Sequence, residues 1–205
     1  MKKIIDIHEK LLYENELKEQ GYKLIAGVDE VGRGPLAGPV VCAAVVMPLD
    51  EKLLIDGIDD SKKVSEKKRK ILAEEIKKRA VSYKICQVEA DEIDELNILS
   101  ATIKCMQEAV KGLERCDSVI VDAVKTEFCV PSLSVIKGDA KSYNVGAASI
   151  IAKVYRDTLM ERYALEYPEY GFEKHKGYGT KAHIDAIKKY GPCPIHRKTF
   201  IKNFV

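Results

Sequence analysis

Two adjacent carboxylates, Asp29 and Glu30, follow an apolar run and stand directly ahead of a glycine-arginine-glycine turn. Residues 25–41 read IAGVDEVGRGPLAGPVV, which predicts a strand, a turn and a second strand. Because successive residues of a regular strand point to opposite faces, both acids reach one site only if the chain bulges or bends there. The glycines lead us to expect such a bulge, and Arg33 adds a fixed cation on backbone that a ligand can approach closely. A solvated acidic turn is the simpler alternative.

Two further acids, Asp122 and Asp139, stand at positions where a site can form. Asp122 ends the short apolar run 118–122, and Asp139 lies in a Lys-Gly-Asp turn ahead of a helix that begins with small residues. Loops converge at strand ends on one side of an α/β sheet. Clustered carboxylates repel one another unless a cation neutralises them, and oxygen ligands without histidine or cysteine favour Mg²⁺ or Mn²⁺ over zinc. Two such ions suit phosphodiester hydrolysis, although Asp122 taken alone is equally well explained as an acid that starts a loop.

The elements that must position these acids follow from hydrophobic periodicity. Apolar runs predict strands at 23–28, 40–47, 81–88, 118–122 and 133–136. Apolar residues at helical spacing predict helices at 4–20, 65–80, 91–113, 144–163 and 180–190, with Ser65 and Thr180 as caps. The apolar stripe of the third helix comprises Leu96, Leu99, Ile103, Met106, Val110 and Leu113. This order of elements, without a repeat or a linker, predicts an α/β fold with a mixed sheet.

Composition limits the class of protein. The 205 residues carry a net charge of +2, so a nucleic-acid partner would need a local basic surface, for which Lys62, Lys153, Lys176, Lys181 and Arg197 are candidates. No apolar run is long enough for a membrane span, and the N-terminal residues lack the apolar core of a signal peptide. The six cysteines show no C-x-x-C spacing and are expected to be free thiols, as in a reducing cytoplasm.

Several other chemically capable residues are interpreted as structural. Asp157 is expected to pair with an arginine or to cap a helix. His175, His183 and His196 are not spaced as metal ligands, which favours structural or surface roles. Tyr178 has glycines on both sides, which favours exposure over packing on the core.

Five motifs in a fixed order make the chain similar to bacterial ribonuclease HII, the type 2 ribonuclease H. They are GVDEVGRGPLAGPVV (27–41), DSKK (60–63), AASIIAKV (147–154), KGYGT (176–180) and YGPCPIHR (190–197). The resemblance extends from about residue 23 to about residue 200, and the first twenty residues carry no functional signal. The departures are Val31, where the family often has alanine, and the stretch after Asp122; neither involves an expected ligand.

This resemblance implies a ribonuclease H-like α/β fold: a mixed β-sheet flanked by helices, with additional C-terminal helices. It implies one catalytic domain over residues 1–205, with an N-terminal helix at 1–20 and a C-terminal helical part at 164–205. The implied catalytic and metal-binding residues are Asp29, Glu30, Asp122 and Asp139, which would hold two Mn²⁺ or Mg²⁺ ions when substrate is bound. The implied substrate-binding residues are Gly32, Arg33, Gly34, Ser61, Lys62 and Tyr178.

The function implied is that of a cytoplasmic, monomeric endoribonuclease active in DNA replication and repair, without a membrane partner. It would hydrolyse the RNA strand of RNA–DNA hybrids and single ribonucleotides embedded in duplex DNA, leaving 5′-phosphate and 3′-hydroxyl ends. The alternatives are a non-catalytic hybrid-binding module of the same fold and an integrase-like DNA nuclease. Four carboxylates facing phosphates disfavour the first. The glycine-arginine-glycine turn and Tyr178 disfavour the second, because distinguishing RNA from DNA requires contacts to the 2′-hydroxyl.

Overall fold

The computed structural model describes residues 7, 9–124, 126–203 and 205. Within these residues, a five-stranded mixed sheet has the order β3-β2-β1-β4-β5. The strands are β1 (Ile25–Val31), β2 (Val40–Val46), β3 (Ser82–Val88), β4 (Ser118–Asp122) and β5 (Ser132–Val135). Strands β1, β2 and β3 pair antiparallel, whereas β4 lies parallel to both β1 and β5. The five predicted strands are therefore confirmed, with bounds close to those expected.

Helices cover both faces of this sheet. They are α1 (Leu12–Glu19), α2 (Glu66–Arg79), α3 (Ala90–Leu96), α4 (Ile98–Lys111), α5 (Gly138–Lys141), α6 (Tyr143–Glu166), α7 (Phe172–His175), α8 (Lys181–Tyr190) and α9 (Lys198–Ile201). Helices α2 and α6 pack on one face, and α4 packs on the other. Thr180 caps α8 as predicted, since its hydroxyl accepts from the N–H of His183. Ser65 occupies the N-cap position of α2, but its side chain makes no capping hydrogen bond.

Helix α6 lies so close to β1 that no side chain fits between them. A Cβ added to Gly27 would stand 2.0 Å from the carbonyl carbon of Asn144, far inside contact distance. The first turns of α6 are small and fully buried, including Gly146, Ala147 and Ala148. This close packing places the start of α6 directly beside β1.

The single helix predicted at 91–113 is wrong, because the chain divides into α3 and α4 at Asn97. Asn97 has φ 69°, in the left-handed region, and its side chain accepts from the N–H groups of Leu99 and Ser100. Asparagine tolerates this conformation and caps the second helix. Leu96 and Leu99 of the predicted stripe are exposed, and the buried side of α4 comprises Ala101, Thr102, Cys105, Met106, Ala109 and Val110.

The N-terminal helix is shorter than predicted within the described residues. Helix α1 follows a 3₁₀ turn at Glu9–Leu11. Leu11 and Leu17 are buried and Leu12 is exposed. Part of the expected helix, including Ile4 and Ile5, lies outside the described residues.

The C-terminal helices pack against the connection between β1 and β2. Leu36 and Ala37 of that connection share an apolar cluster with Phe172 and Ile187. The N–H of Leu36 donates to the carbonyl of Gly177 at 2.8 Å. The C-terminal part of the chain therefore fixes the shape of the segment that follows the acidic pair.

The structure bears on two expectations from composition, one about the cysteines and one about membrane spans. The six cysteines are free thiols; Cys42 and Cys105 are buried, and Cys129 is exposed. In the described part of the chain, no helix combines the length and apolar character needed to cross a membrane.

Candidate active site

Asp29 and Asp122 lie side by side at the carboxyl ends of parallel strands β1 and β4. The printed register pairs Val28 with Val121, and the two acids are the next residues on each strand. Since Val28 and Val121 face α4, strand alternation places both acids on the face covered by α6. Asp29 is buried and hydrogen-bonds to Ser149 of α6. The predicted convergence of these two strand ends is therefore present in the fold.

The bulge expected at the Asp29–Glu30 pair is absent. Pairing of β1 with β2 runs without interruption from Ala26 opposite Val46 to Val31 opposite Val41. The chain bends only afterwards, at Gly32, where φ is +94°. The glycines therefore terminate the strand instead of distorting it, and Glu30 leaves the strand from the face opposite to Asp29.

Glu30 is nevertheless electrostatically linked to the other acids. Its carboxylate lies 3.5 Å from the guanidinium of Arg33. Burial raises the pKa of Glu30, Arg33 opposes that rise, and the charge of Asp122 adds to it. Glu30 therefore lies near enough to the end of the strand to interact with Asp122 across the sheet edge.

Burial and mutual repulsion act on the other acids in the same way. Burial raises the pKa of Asp29 well above its usual range, repulsion from Glu30 and Asp122 adds to this, and the hydrogen bond from Ser149 opposes it. The pKa of Asp139 is raised by burial and then by the charges of Asp60 and Asp122. These acids form one cluster of like charges at a single edge of the sheet, here called the acid cluster: Asp29, Glu30, Asp122 and Asp139.

Backbone in an unusual conformation holds Asp122 next to the turn that carries Asp139. The Oδ1 atom of Asp122 accepts from the N–H of Gly138 at 2.8 Å. Ala123 and Lys137, which flank these two residues, have φ values of 49° and 60°. Non-glycine residues rarely adopt this region, and such strain is concentrated at functional sites.

Ser149 and Asp60 belong to this site but were not singled out by the sequence. The hydroxyl of Ser149 lies 3.0 Å from that of Ser61, so α6 connects Asp29 to the loop that contains Ser61 and Lys62. Asp60 raises the pKa of Asp139, and Lys62 opposes that effect. Both residues lie inside motifs that the sequence analysis recognised, at 60–63 and 147–154, and these motifs were the signal in the sequence that could have identified them. The fold shows that the two residues reach the acids.

Tyr178 and Gly34, remote in sequence, are neighbours in the fold. A Cβ on Gly34 would lie 3.8 Å from the Cε1 atom of Tyr178, so the ring lies beside the turn at van der Waals distance. The side chain of Tyr178 remains 43% exposed. The partly exposed ring and the backbone of the glycine turn therefore lie on one surface.

Two buried arginines hold the connection at 32–39 in place. Arg156 of α6 donates to the carbonyls of Pro39, Ala37 and Lys176 at 2.9–3.0 Å. Arg197 donates to the carbonyls of Gly32, Arg33 and Gly38. Burial lowers the pKa of Arg156 to about 10 and that of Arg197 to about 9. A guanidinium presents several donors in a fixed plane, which suits the capture of several carbonyls.

The predicted basic surface is therefore wrong for Arg197, which is fully buried. Lys153 lies 2.7 Å from Asp157, and Lys176 lies 2.7 Å from Glu161, so both of these charges are neutralised by ion pairs. The remaining candidates, Lys62 and Lys181, are exposed.

The structural interpretation of Asp157 and the histidines is confirmed. Asp157 pairs with Lys153 and lies 3.8 Å from Arg69. His183 and His196 are buried, with their Nε2 atoms 3.0 Å apart. Burial lowers the pKa of each to about 4, so both are neutral at physiological pH.

The donor chemistry of the acid cluster fits a hard divalent cation. Its side chains offer carboxylate oxygens, and a cation would remove the repulsion that raises the pKa values of Asp29, Glu30 and Asp139. Among the described residues, no three histidine, cysteine, aspartate or glutamate side chains are already grouped as a set of ligands. Metal binding would therefore involve carboxylates from separate elements together with other oxygen ligands.

A mixed sheet with helices on both faces and acids at adjacent strand ends defines a ribonuclease H-like protein. A sequence profile for ribonuclease HII matches residues 26–203. The chain is 51% identical over 201 residues to ribonuclease HII of Caldanaerobacter subterraneus subsp. tengcongensis, covering 97% of this chain and 83% of that one. It is also 51% identical over 207 residues to ribonuclease HII of Caldicellulosiruptor saccharolyticus, over the full length of both.

A solved structure supports the same assignment. Ribonuclease H2 from Pyrococcus horikoshii OT3 superposes with a TM-score of 0.75 at 28% identity, covering 89% of this chain and 97% of that one. The chain belongs to the ribonuclease HII family and is a metal-dependent endoribonuclease. The ribonuclease H-like fold and the family expected from the five motifs are thereby confirmed.

Proposed function

We propose that this endoribonuclease hydrolyses the RNA strand of RNA–DNA hybrids and single ribonucleotides embedded in duplex DNA. The products would carry 5′-phosphate and 3′-hydroxyl ends. The observation that carries the proposal is that two features adjoin along the chain: the acid cluster at the ends of β1 and β4, and the glycine turn, which begins two residues after Glu30 and lies beside Tyr178. The first suits phosphodiester hydrolysis, and the second suits discrimination between sugars.

The four carboxylates of the acid cluster would bind two divalent ions, Mg²⁺ or Mn²⁺. Bound in this way, such ions activate water and stabilise the leaving oxygen of the phosphodiester. Asp29 and Asp122 present their carboxylates from neighbouring strands on one face, while Glu30 approaches from the opposite face and Asp139 from α5. Ser149 and Gly138 hold Asp29 and Asp122 by hydrogen bonds, so these two ligands are oriented before substrate arrives.

Substrate recognition is assigned to Gly32, Arg33, Gly34, Ser61, Lys62 and Tyr178. The turn would offer backbone groups to the ribose 2′-hydroxyl, and the exposed ring of Tyr178 would lie against the next sugar. Lys62 is exposed and acts electrostatically on Asp139, which suits a contact to a phosphate near the ions. Arg33 already lies beside Glu30 and would bind phosphate from that position.

The chain would act as one catalytic domain over residues 1–205, as a monomer in the cytoplasm, during DNA replication and repair. The proposed N-terminal helix (1–20) and C-terminal helical part (164–205) would belong to this domain and not to separate modules. Packing of Phe172 and Ile187 against Leu36 and Ala37 supports the inclusion of the C-terminal part.

The test is cleavage of a DNA duplex that carries one ribonucleotide, with and without Mg²⁺ or Mn²⁺. We expect a single metal-dependent cut at a phosphodiester next to the ribonucleotide, which leaves a 5′-phosphate and a 3′-hydroxyl end. Asp122→Asn should abolish cleavage while the protein remains folded, because the amide still accepts from the N–H of Gly138 but cannot supply a charged ligand. Near-normal turnover by Asp122→Asn would refute the assignment of the ligands.

Two further results would identify the alternatives. Binding of the hybrid without cleavage under all metal conditions would indicate a non-catalytic binding module. Cleavage of an all-DNA duplex at a comparable rate would indicate a DNA nuclease of the same fold.

A further inference from the structure

Two charged residues of the N-terminal segment are buried although they lie outside the acid cluster. Lys10 is 3% exposed and Glu14 is 0% exposed. Burying a charge is costly unless the group is paired and hydrogen-bonded, so their partners indicate what the segment does. The family profile begins at residue 26, beyond this segment. The segment at 9–19 comprises the 3₁₀ turn and α1.

Lys10 supports the loop that enters the site. Its Nζ atom lies 2.8 Å from Oδ1 of Asp59, and the same oxygen accepts from the N–H of Asp60. Asp60 in turn accepts from the N–H of Lys62 at 2.9 Å. A continuous set of contacts therefore runs from Lys10 to the backbone of the proposed substrate-binding residues Ser61 and Lys62.

Glu14 supports the junction between α5 and α6. Its Oε1 atom accepts from the hydroxyl of Ser142 at 2.6 Å and from the N–H of Asn144 at 3.0 Å. Burial raises the pKa of Glu14, and the hydrogen bonds from Asn144 and Ser142 at this helix N-terminus oppose that rise. Ser142 also donates its N–H to Gly138, the first residue of the short helix that contains Asp139.

The two supported regions meet each other next to the acids. A Cβ on Gly146 would lie 3.0 Å from Ile58 and 3.1 Å from the carbonyl oxygen of Asp139. The loop and the helix junction are therefore in contact across Gly146. A displacement of either region would alter the position of the other.

We infer that the segment at 9–19 is a positioning element of the active site. Lys10 sets the loop at 59–62, and Glu14 sets the α5–α6 junction that carries Asp139. Neither residue contacts substrate. The inference rests on the proposed function for the roles of Ser61, Lys62 and Asp139.

The test replaces Lys10 by methionine, which preserves the length and apolar stem of the side chain but removes the charge. At a temperature well below the melting point of each variant, Lys10→Met should raise KM for the single-ribonucleotide duplex about tenfold and change kcat less than twofold. Lys10→Arg, which keeps the positive charge, should have a KM close to that of wild type. The matched control is Lys18→Met, the same change at an exposed position of α1, which should leave KM unchanged.

Asp59→Leu should reproduce the effect of Lys10→Met, and adding Lys10→Met to it should cause no further loss, because the oxygen that Lys10 contacts is already gone. A lower melting temperature with wild-type KM would show that Lys10 serves only stability and would overturn the inference. An equal loss in Lys18→Met would overturn it as well.

Glu14 is tested by a different kinetic signature. Glu14→Leu should increase the Mg²⁺ concentration needed for half-maximal activity, while Glu14→Gln, which retains an oxygen acceptor, should remain close to wild type. Equal metal requirements for wild type, Glu14→Leu and Glu14→Gln would contradict the role assigned to Glu14.

A binding measurement separates this inference from the proposed function. Anisotropy of a labelled hybrid without metal ions should show weaker binding by Lys10→Met than by wild type and Lys18→Met. If wild type binds but does not cleave, the proposed function fails while this comparison still decides the role of Lys10. Equal binding by wild type and Lys10→Met would overturn the positioning role.

Discussion

At the scale of single residues, repulsion within the acid cluster opposes folding of the metal-free protein. Burial and the neighbouring carboxylates raise the pKa values of Asp29, Glu30 and Asp139, which means that their charged forms are unfavourable in the fold. Asp122 contributes to the repulsion on all three. Its charge therefore has a cost in stability for the metal-free protein.

Asp122→Asn should raise the melting temperature of the metal-free protein slightly at neutral pH. The change removes one charge from the cluster and retains the oxygen that accepts from the N–H of Gly138. Melting should be followed by circular dichroism in excess chelator. Asp185→Asn, the same change at an exposed position of α8, is the matched control and should leave the melting temperature unchanged. An equal or lower melting temperature for Asp122→Asn would show that repulsion at this position is negligible.

Tyr178→Ala should slow cleavage of a single embedded ribonucleotide about ten- to hundred-fold, as the loss of one positioning contact does. The ring lies beside Gly34 and is partly exposed, so its removal should spare metal binding. A long hybrid should be affected less, provided that its cleavage depends less on the junction. Tyr178→Phe keeps the ring and tests the hydroxyl separately. Wild-type rates for Tyr178→Ala would show that Tyr178 is a packing residue.

At the scale of elements, the turn after β1 owes its shape to guanidinium groups from distant parts of the chain. Arg197 donates to the carbonyls of Gly32, Arg33 and Gly38, which the backbone of the turn does not satisfy by itself. Lysine cannot present donors to three separate carbonyls in this plane. The shape of the turn at 32–34 therefore depends on Arg197 of the C-terminal motif as much as on its own glycines.

Arg197→Lys should lower the free energy of unfolding by about 2–5 kcal/mol, because buried carbonyls lose their donors. Urea denaturation monitored by circular dichroism provides the measurement. Arg162→Lys makes the same chemical change at an exposed position of α6 and should have little effect. Equal stability of the two variants would contradict the structural role of Arg197.

The sequence predicted the elements that bear the acids better than the contacts that join them. Apolar runs that end in Asp29 and Asp122 located two strand ends, because burial on both faces leaves a clear local pattern. The break at Asn97 was missed because apolar residues continue on either side of it. The bulge was predicted wrongly because glycine allows a bend without fixing which residue bends.

The arginine contacts were hidden for a different reason. Arg156 and Arg197 bind carbonyls, which every residue possesses, so no residue type marks their partners. The contacts of Lys10 and Glu14 were likewise hidden, since their partners are distant in sequence. Such contacts become visible only when the fold brings the segments together.

At the scale of the whole molecule, two neutral histidines connect the C-terminal part of the chain to the backbone of Tyr178 by hydrogen bonds. The N–H of Cys193 donates to Nδ1 of His196, which assigns the ring proton to Nε2. That proton can then be donated to Nε2 of His183, whose Nδ1–H donates to the carbonyl of Tyr178. Each ring has one donor and one acceptor, so an added proton has no place in this arrangement.

His183 and His196 should therefore contribute a loss of stability as the pH falls below about 6.5. The unfolded histidines bind protons near pH 6.5, whereas in the fold His183 and His196 bind them only near pH 4. Over that interval these two rings carry more protons in the unfolded state, so their contribution to the free energy of unfolding decreases as the pH falls. The loss is at most about 3 kcal/mol for each imidazole, at about 1.36 kcal/mol per pKa unit.

Urea denaturation at intervals between pH 7.5 and pH 4.5 tests this dependence. The acid cluster contributes in the opposite direction, since carboxylates with raised pKa values become more favourable in the fold as they are protonated. The comparison that isolates the histidines is therefore with His196→Asn, which removes one titrating ring. In this variant the slope of the free energy of unfolding against pH should change by up to the contribution of one proton, whatever the absolute stability. Parallel curves for wild type and His196→Asn would show that the buried histidines do not link stability to pH.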